Sequence, residues 1–254
     1  FENKNDIIDH MDGRFLVRTN IEAPNYRLVS IDLENPDRDN WKDVIPEGDN
    51  LLDGVGTAGG YVFADYLENA MTKVYRFNYD GTDKTEISLP APGSAGGFYG
   101  HREDDQLFYT FTSFTYPPTI FQMDVKTGES SVFYKPELKF DPAAYESKQV
   151  WYKSKDGTEV SMFIVHKKGL ELNGQNPTYL YGYGGFNISL TPSFSVSRML
   201  LLENGGVFAM PNLRGGGEYG EEWHKAGMLL NKQNVFDDFI AAAEYLIAEK
   251  YTSS

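Results

Sequence analysis

The sequence predicts a partial β-propeller over residues 1–138, followed over residues 139–254 by alternating strands and helices, an α/β arrangement. Three observations carry this expectation. A strand pattern recurs every 46 residues in the first part, strands begin to alternate with helices near residue 139, and glycines cluster where the later strands end.

The first part consists of short alternating or aromatic runs separated by turn chemistry such as NYDGT and VKTGE. YRLVSIDLENP, TKVYRFNYDGT and PTIFQMDVKTGE align so that Leu28, Val74 and Ile120 correspond, each 46 residues from the next, with Asp32, Asn78 and Asp124 in one register. RFLVRT, YVFADY and QLFYTF precede them in the same order. A repeat of roughly 40 to 50 residues with several strands is the length of one propeller blade. A meandering β-sandwich also spaces its strands evenly and is the competing reading. Propellers typically have about four to eight blades. Three blades do not close a ring, so part of the ring is expected to lie outside this chain.

From residue 139 the style changes. AYESKQVWYKSKDGTEVSMFIVHKK reads as two strands around a Lys155-Asp156-Gly157 turn, with Val160, Met162 and Ile164 on one side and Ser161, Phe163 and Val165 on the other. TYLYGYGG reads as a third strand, SVSRMLLLENGG as an amphipathic or buried stretch, GVFAMPN as a strand and LRGGGEYGE as a glycine loop running on into polar EEWHKAG. A helix is expected from Asn234, with Asn234 as N-cap and Asp237 three residues on. Its apolar stripe is Val235, Phe236, Phe239, Ile240, Ala243, Leu246 and Ile247.

Composition narrows the partners. The net charge is -14, with 23 Lys and Arg against 37 Asp and Glu, which excludes the basic surface that nucleic acid requires. No apolar run approaches the roughly 18 to 20 residues that span a bilayer, so a soluble protein without a membrane partner is expected. The absence of cysteine removes disulfides, thiolate metal sites and a cysteine nucleophile. It does not separate a cytoplasmic from a bacterial periplasmic location. FENKNDIIDH carries neither a basic start nor an apolar signal core, and the true start is expected to lie upstream.

Four motifs bear on chemistry. GGGEYG, Gly215 to Gly220, matches the dinucleotide pattern G-x-G-x-x-G, with Asp237 and Asp238 about 20 residues on. That pattern needs glycines that open a helix and an acid that ends the next strand, whereas these acids lie in the first turn of the expected helix, so no dinucleotide is expected. His10, His101, His166 and His224 show no metal-ligand spacing, and no metal or other cofactor is expected. PGSAGG, Pro92 to Gly97, has proline where G-x-S-x-G needs its first glycine, and Ser94 reads as a turn residue. YLYGYGGFN, residues 179 to 187, holds three glycines among large rings. A strand ending in tandem glycines is where α/β-hydrolases place an oxyanion-hole donor, and it is equally the pattern of a turn packed under aromatics.

YESKQVWYKSKDGTEVSMFIVHKKG, PTYLYGYGGFNISLTPSFSVSR and NLRGGGEYGEEWHKAGMLLNKQNVFDDFIAAAEYLIAEKYTS closely resemble the prolyl oligopeptidase family, from about Ala144 to Ser254. Residues 1–138 resemble, more loosely, the later blades of that family's seven-bladed propeller. The resemblance implies a partial propeller followed by the N-terminal part of an α/β-hydrolase domain, within a serine endopeptidase that cleaves short peptides after proline. It implies that Tyr183 completes the oxyanion hole and that Phe186 lines the pocket for the substrate proline. Arg214 and the glycine loop are assigned to structure. The family's nucleophile elbow follows the EYLIAEKYTS helix, with the Asp and His later still, so the Ser, Asp and His of the triad are expected outside these residues, and Ser253 and Ser254 are not the nucleophile. The chain alone is therefore expected to be inactive, its partners being proline-containing short peptides and the remainder of the same polypeptide, in an intact protein expected to be monomeric. The alternative is a non-catalytic propeller module that binds peptide or protein.

Overall fold

In the computed structural model, which describes residues 3–254, the 46-residue period is the spacing of the third strands of three four-stranded sheets. The first sheet contains β1 (Asn5–Met11), β2 (Arg14–Thr19), β3 (Arg27–Asp32) and β4 (Lys42–Ile45). The second contains β5 (Leu51–Ala58), β6 (Tyr61–Glu68), β7 (Met71–Asn78) and β8 (Thr85–Ile87). The third contains β9 (Ser94–Gly96), β10 (Gln106–Thr112), β11 (Thr119–Asp124) and β12 (Ser130–Tyr134). Each sheet keeps its strands in chain order, as a propeller blade does.

The repeat is a repeat of register. Leu28 faces Ile45, Val74 faces Ile87 and Ile120 faces Tyr134, so the aligned residue on each third strand meets a large apolar partner on the fourth. The aligned polar residues close the turns that follow. Asp32 accepts from the Glu34 amide at 2.9 Å and Asp124 from the Thr127 amide at 2.7 Å, while Asn78 donates to the Thr82 hydroxyl at 3.0 Å.

Neighbouring blades are joined by apolar packing and by a few buried polar groups. Leu16, Leu28 and Ile45 of the first sheet share one core with Leu52, Val62 and Phe77 of the second. Phe63, Phe98, Tyr109 and Phe121 form a run of stacked rings from the second sheet into the third. Arg18 donates to the Leu52 carbonyl at 3.0 Å and Arg76 to the Val125 carbonyl at 2.9 Å. Asp9 of β1 accepts from the Tyr79 hydroxyl and from Thr57 at 3.2 Å, and lies 3.5 Å from the Arg102 guanidinium, so one carboxylate ties all three sheets.

The chain divides into two units: residues up to Phe111 with Thr119–Lys135, and Thr112–Pro118 with Pro136–Ser254. The second unit is built on a sheet ordered β13 (Tyr145–Lys153), β14 (Glu159–Lys167), β16 (Val207–Pro211) and β15 (Thr178–Leu180). β13 and β14 form the expected hairpin, nine pairs in register around the Asp156-Gly157 turn, and β15 runs parallel to β16. β14 is buried on both faces. Val160, Met162 and Ile164 meet Ala241, Ala242 and Leu246 of α3 (Gln233–Ala248), whereas Phe163 lies 5.3 Å, ring to ring, from Phe114. That contact, with Phe114 also 5.9 Å from Phe208, is why the short 112–118 segment groups with this unit. The amphipathic stretch forms α1 (Val196–Glu203), which buries Met199 and Leu202.

Two local expectations are corrected. Asn234 is not the N-cap of α3: the chain enters the helix through the helical turn Leu229–Asn231 with Lys232 already at φ -57°, and the Asn234 amide instead donates to the Ala226 carbonyl at 2.9 Å. The buried face of α3 is Val235, Asp238, Ala241, Ala242 and Leu246, so Phe236, Ile240 and Ile247 of the expected stripe are exposed. In addition, the polar stretch after the glycine loop forms a short helix, α2 (Gly220–Lys225).

Candidate active site

β15 and β16 are parallel and end side by side, and in open α/β sheets ligands bind beyond the carboxyl ends of such strands. Two loops leave from that place, Tyr181 to Leu190 after β15 and Asn212 to Glu218 after β16. Tyr181 still donates to the Ala209 carbonyl at 2.9 Å, and beyond it the chain leaves the sheet. The first loop must then pass close to its neighbours. A Cβ on Gly182 would lie 2.8 Å from Leu213 Cδ1, and one on Gly184, at φ +63°, would lie 2.5 Å from Val235 Cγ1. The glycines among the tyrosines are thus a requirement of packing against the second loop and α3.

The first loop closes in a tight turn. Ile188 donates to the Gly185 carbonyl at 3.0 Å, and the two central residues, Phe186 and Asn187, have φ of 53° and 57°. Positive φ at both centres is a turn that glycine and asparagine normally occupy. Asparagine tolerates the conformation, but phenylalanine is strained in it at a cost of order 1 kcal/mol or more. The Phe186 ring is 85% exposed. Tyr183 precedes the turn, 44% exposed, and among the described residues its hydroxyl has no hydrogen-bond partner. The structure therefore brings Tyr183 and Phe186 onto one loop, with a free O–H donor before the turn and an exposed flat apolar ring within it.

The second loop is the bed for this turn. A Cβ on Gly215 would lie 2.7 Å from the Gly184 carbonyl oxygen, and one on Gly217 would lie 2.8 Å from the Asn187 carbonyl oxygen. Asn187 donates to the Gly215 carbonyl at 3.2 Å, and Lys232 donates to the Gly184 carbonyl at 2.7 Å. GGGEYG is accordingly filled by its own chain, leaving no cradle for a pyrophosphate. Among the described residues there is also no cluster of His, Asp and Glu that would hold a metal.

Arg214, just before the glycines, is buried and fully occupied. Its Nε and Nη2 grip Asp238 at 3.0 and 2.6 Å, its Nη1 meets Asp156 at 2.6 Å, and its backbone amide donates to Asp238 at 3.1 Å. Asp156 is held down to about 2, chiefly by its hydrogen bond with Arg214. Ser154 donates to Asp238 at 2.6 Å, but the third member of that group is a guanidinium, which is never a base, so this is a clamp between the β13–β14 turn, the second loop and α3. The ring hydrogen bonds of His166 and His224 are to backbone groups, Nδ1 lying 2.8 Å from the Lys167 and Gly215 carbonyls respectively.

Sequence reasoning missed Glu218. It is 2% exposed, and burial pushes its carboxyl up to about 7. One oxygen, Oε1, accepts from the Leu190 amide at 2.7 Å, whereas Oε2 is buried without a partner. The signal was an acid placed inside a glycine run, where the missing side chains leave space for a carboxyl to fold back.

Fold and site together define a partial propeller joined to an α/β sheet whose candidate site lies at the ends of its parallel strands. Residues 1–136 match the family model described as the N-terminal beta-propeller domain of prolyl oligopeptidase, and residues 192–254 match that of the prolyl oligopeptidase family. The chain belongs to the prolyl oligopeptidase family. It is 48% identical over 253 residues to a prolyl endopeptidase of Elizabethkingia meningoseptica, a match covering 100% of this chain and 36% of the relative. It is 40% identical over 261 residues to a prolyl endopeptidase of Dictyostelium discoideum, covering 97% and 34%. Among solved structures, it superposes on one from a study of two prolyl endopeptidases with a TM-score of 0.96 at 43% identity, covering 99% of this chain and 37% of that one. Prolyl oligopeptidase B from Galerina marginata, bound to a 35mer hydrolysis and macrocyclization substrate, gives 0.93 at 37% identity, covering 99% and 36%. The chain thus spans about a third of the length of these relatives.

Proposed function

We propose that these residues form part of a serine endopeptidase that cleaves short peptides after proline, acting within a longer, monomeric polypeptide whose remaining residues supply the Ser, His and Asp of the triad. The observation that carries this reading is the loop after β15, which carries an uncommitted tyrosine hydroxyl at Tyr183 and, three residues on in a strained turn, the exposed ring of Phe186. When a serine attacks the carbonyl that follows a proline, charge develops on the carbonyl oxygen. The Tyr183 O–H donates to that oxygen, and donors fixed in advance cost no reorganisation as the charge appears. The Phe186 ring offers the flat apolar wall that suits a pyrrolidine ring. Names of relatives support the substrate class: they are prolyl endopeptidases, and the Galerina enzyme is bound to a peptide substrate.

The test is a chromogenic peptide with proline at the cleaved position, offered to the 254-residue chain and to the full-length polypeptide that contains it. Turnover by the full-length protein alone, blocked by a serine-reactive inhibitor, is expected. Turnover by the 254-residue chain, blocked in the same way, overturns the division of the site, and inertness of both overturns the activity.

A further inference from the structure

Leu190 lies where the turn-bearing loop ends, and side chains from the second loop hold both of its backbone groups. Its amide donates to Glu218 Oε1 at 2.7 Å and its carbonyl accepts from Asn212 Nδ2 at 2.7 Å. Asn212 is itself fixed, since Ser161 of β14 donates to its Oδ1 at 2.9 Å and the Tyr219 hydroxyl lies 2.6 Å from Ser161. Ser161, Asn212 and Glu218 are all buried. The glycines serve the same grip: a Cβ on Gly216 would lie 2.2 Å from Glu218 Oε2, and one on Gly217 would lie 2.9 Å from Ser189 Oγ.

We propose that Glu218 is a positioning residue for the Tyr183–Phe186 turn, clamping Leu190 so that the strained turn keeps one orientation. The proposal rests on the peptidase reading above. A buried carboxyl with an unpartnered oxygen is costly for stability alone, and a residue needed only to fill space there would be apolar. Phe186 and Asn187 are in the left-handed region, from which a loop released at its far end relaxes. Lys232 holds Gly184 at the near end and the Gly215 carbonyl holds the Asn187 amide, so loss of Glu218 loosens the far end, where Asn212 alone then holds Leu190.

The test uses the full-length polypeptide with Glu218→Ala and Glu218→Gln, read by amide exchange over residues 184–190 and by kcat/KM on matched proline and alanine peptides. Glu218→Ala removes the acceptor, and exchange at Leu190 is expected to rise about tenfold or more, the worth of one buried hydrogen bond. The same variant is expected to lower kcat about tenfold or more and to shrink the preference for proline over alanine by about threefold or more. Glu218→Gln keeps an acceptor and is expected to stay within about threefold of the parent on each readout. Glu218→Asp, one methylene shorter, withdraws the carboxyl from Leu190 and tests the clamp if the alanine variant does not fold. Unchanged exchange at Leu190, or equal loss on both peptides in the alanine and glutamine variants alike, overturns the proposal. A parent protein inert toward both peptides overturns the peptidase reading and the catalytic role with it, and the exchange measurement then decides the clamp separately.

Discussion

In the proposed peptidase, Tyr183 and Phe186 would make separable contributions, one meeting a charge that forms during the reaction and the other a side chain already bound. Tyr183→Phe in the full-length protein is expected to lower kcat by about tenfold to a thousandfold with little change in KM, since the lost donor acts mainly in the transition state. A raised KM with kcat intact would make Tyr183 a binding residue. Phe186→Ala removes apolar contact worth about 1–3 kcal/mol, felt more by proline than by alanine at the cleaved position. The ratio of kcat/KM for the two peptides is therefore expected to fall, and an unchanged ratio would remove Phe186 from the pocket. Glu218 makes a prediction about stability. Its carboxyl is raised to about 7 in the fold from the ordinary 4.5, so between those values the unfolded chain has released a proton that the folded chain retains. Stability falls as pH rises through that window and levels off above it. Glu218→Gln has no such proton, so its melting temperature is expected to gain on the parent's as pH rises from about 5 to about 8. A difference that does not vary with pH would show that the carboxyl titrates normally.

At the scale of elements, the Arg214–Asp238 pair fixes the second loop to α3, and the loop in turn supports the turn. Asp238→Ala leaves a buried guanidinium short of its main partner and is expected to destabilise the second unit by about 3–5 kcal/mol. Asp156→Ala, at the half-exposed end of the same guanidinium, is expected to cost about 1 kcal/mol or less. Amide exchange along β14 measures both, and equal effects would remove the distinction between the buried and exposed partners. How legible these elements were depends on whether their signal is local. Leu28, Val74 and Ile120 could be aligned because each third strand sets an apolar residue at the same place opposite a large partner on the fourth, with Leu28 and Val74 buried and Ile120 half-buried, and β14 could be split into two faces because both of its sides are packed. The roles proposed for Tyr183 and Phe186 rest on motif resemblance, since positive φ at a phenylalanine leaves no mark in composition or periodicity. Asn234 was misread because a cap signal competes with tertiary contacts, and here the amide is drawn to Ala226 while α3 starts from the preceding helical turn. The α3 stripe was read too wide for a related reason. An apolar arc shows which residues avoid water, whereas the sheet covers only the arc centred on Ala241 and Ala242, so Asp238 is inside and Phe236 outside.

At the scale of the whole molecule, two groups of exposed large apolar side chains among the described residues bear on association. β12 ends its sheet with an open edge on which Val132, Phe133 and Tyr134 are all more than half exposed, and α3 exposes Phe236, Ile240 and Ile247 along one face. An open strand edge with apolar side chains is a template for pairing with another chain, and an apolar helix face gains by any cover it can find. The net charge of -14 opposes association, but its range is only about 8 Å at physiological ionic strength, shorter than the reach needed to keep apolar patches apart once chains meet. The 254-residue chain by itself is therefore expected to self-associate at micromolar concentration, more strongly as salt is raised, with sedimentation velocity giving a distribution that shifts with concentration. Phe133→Lys places a charge on the open edge, the device by which natural edge strands resist pairing. Together with Phe236→Lys on α3 it is expected to return the chain toward a monomer, each substitution accounting for part of the shift. A single monomeric boundary for the parent chain at all concentrations would show that these surfaces are tolerated in water. Association that both lysine variants leave untouched would place the contact elsewhere on the molecule.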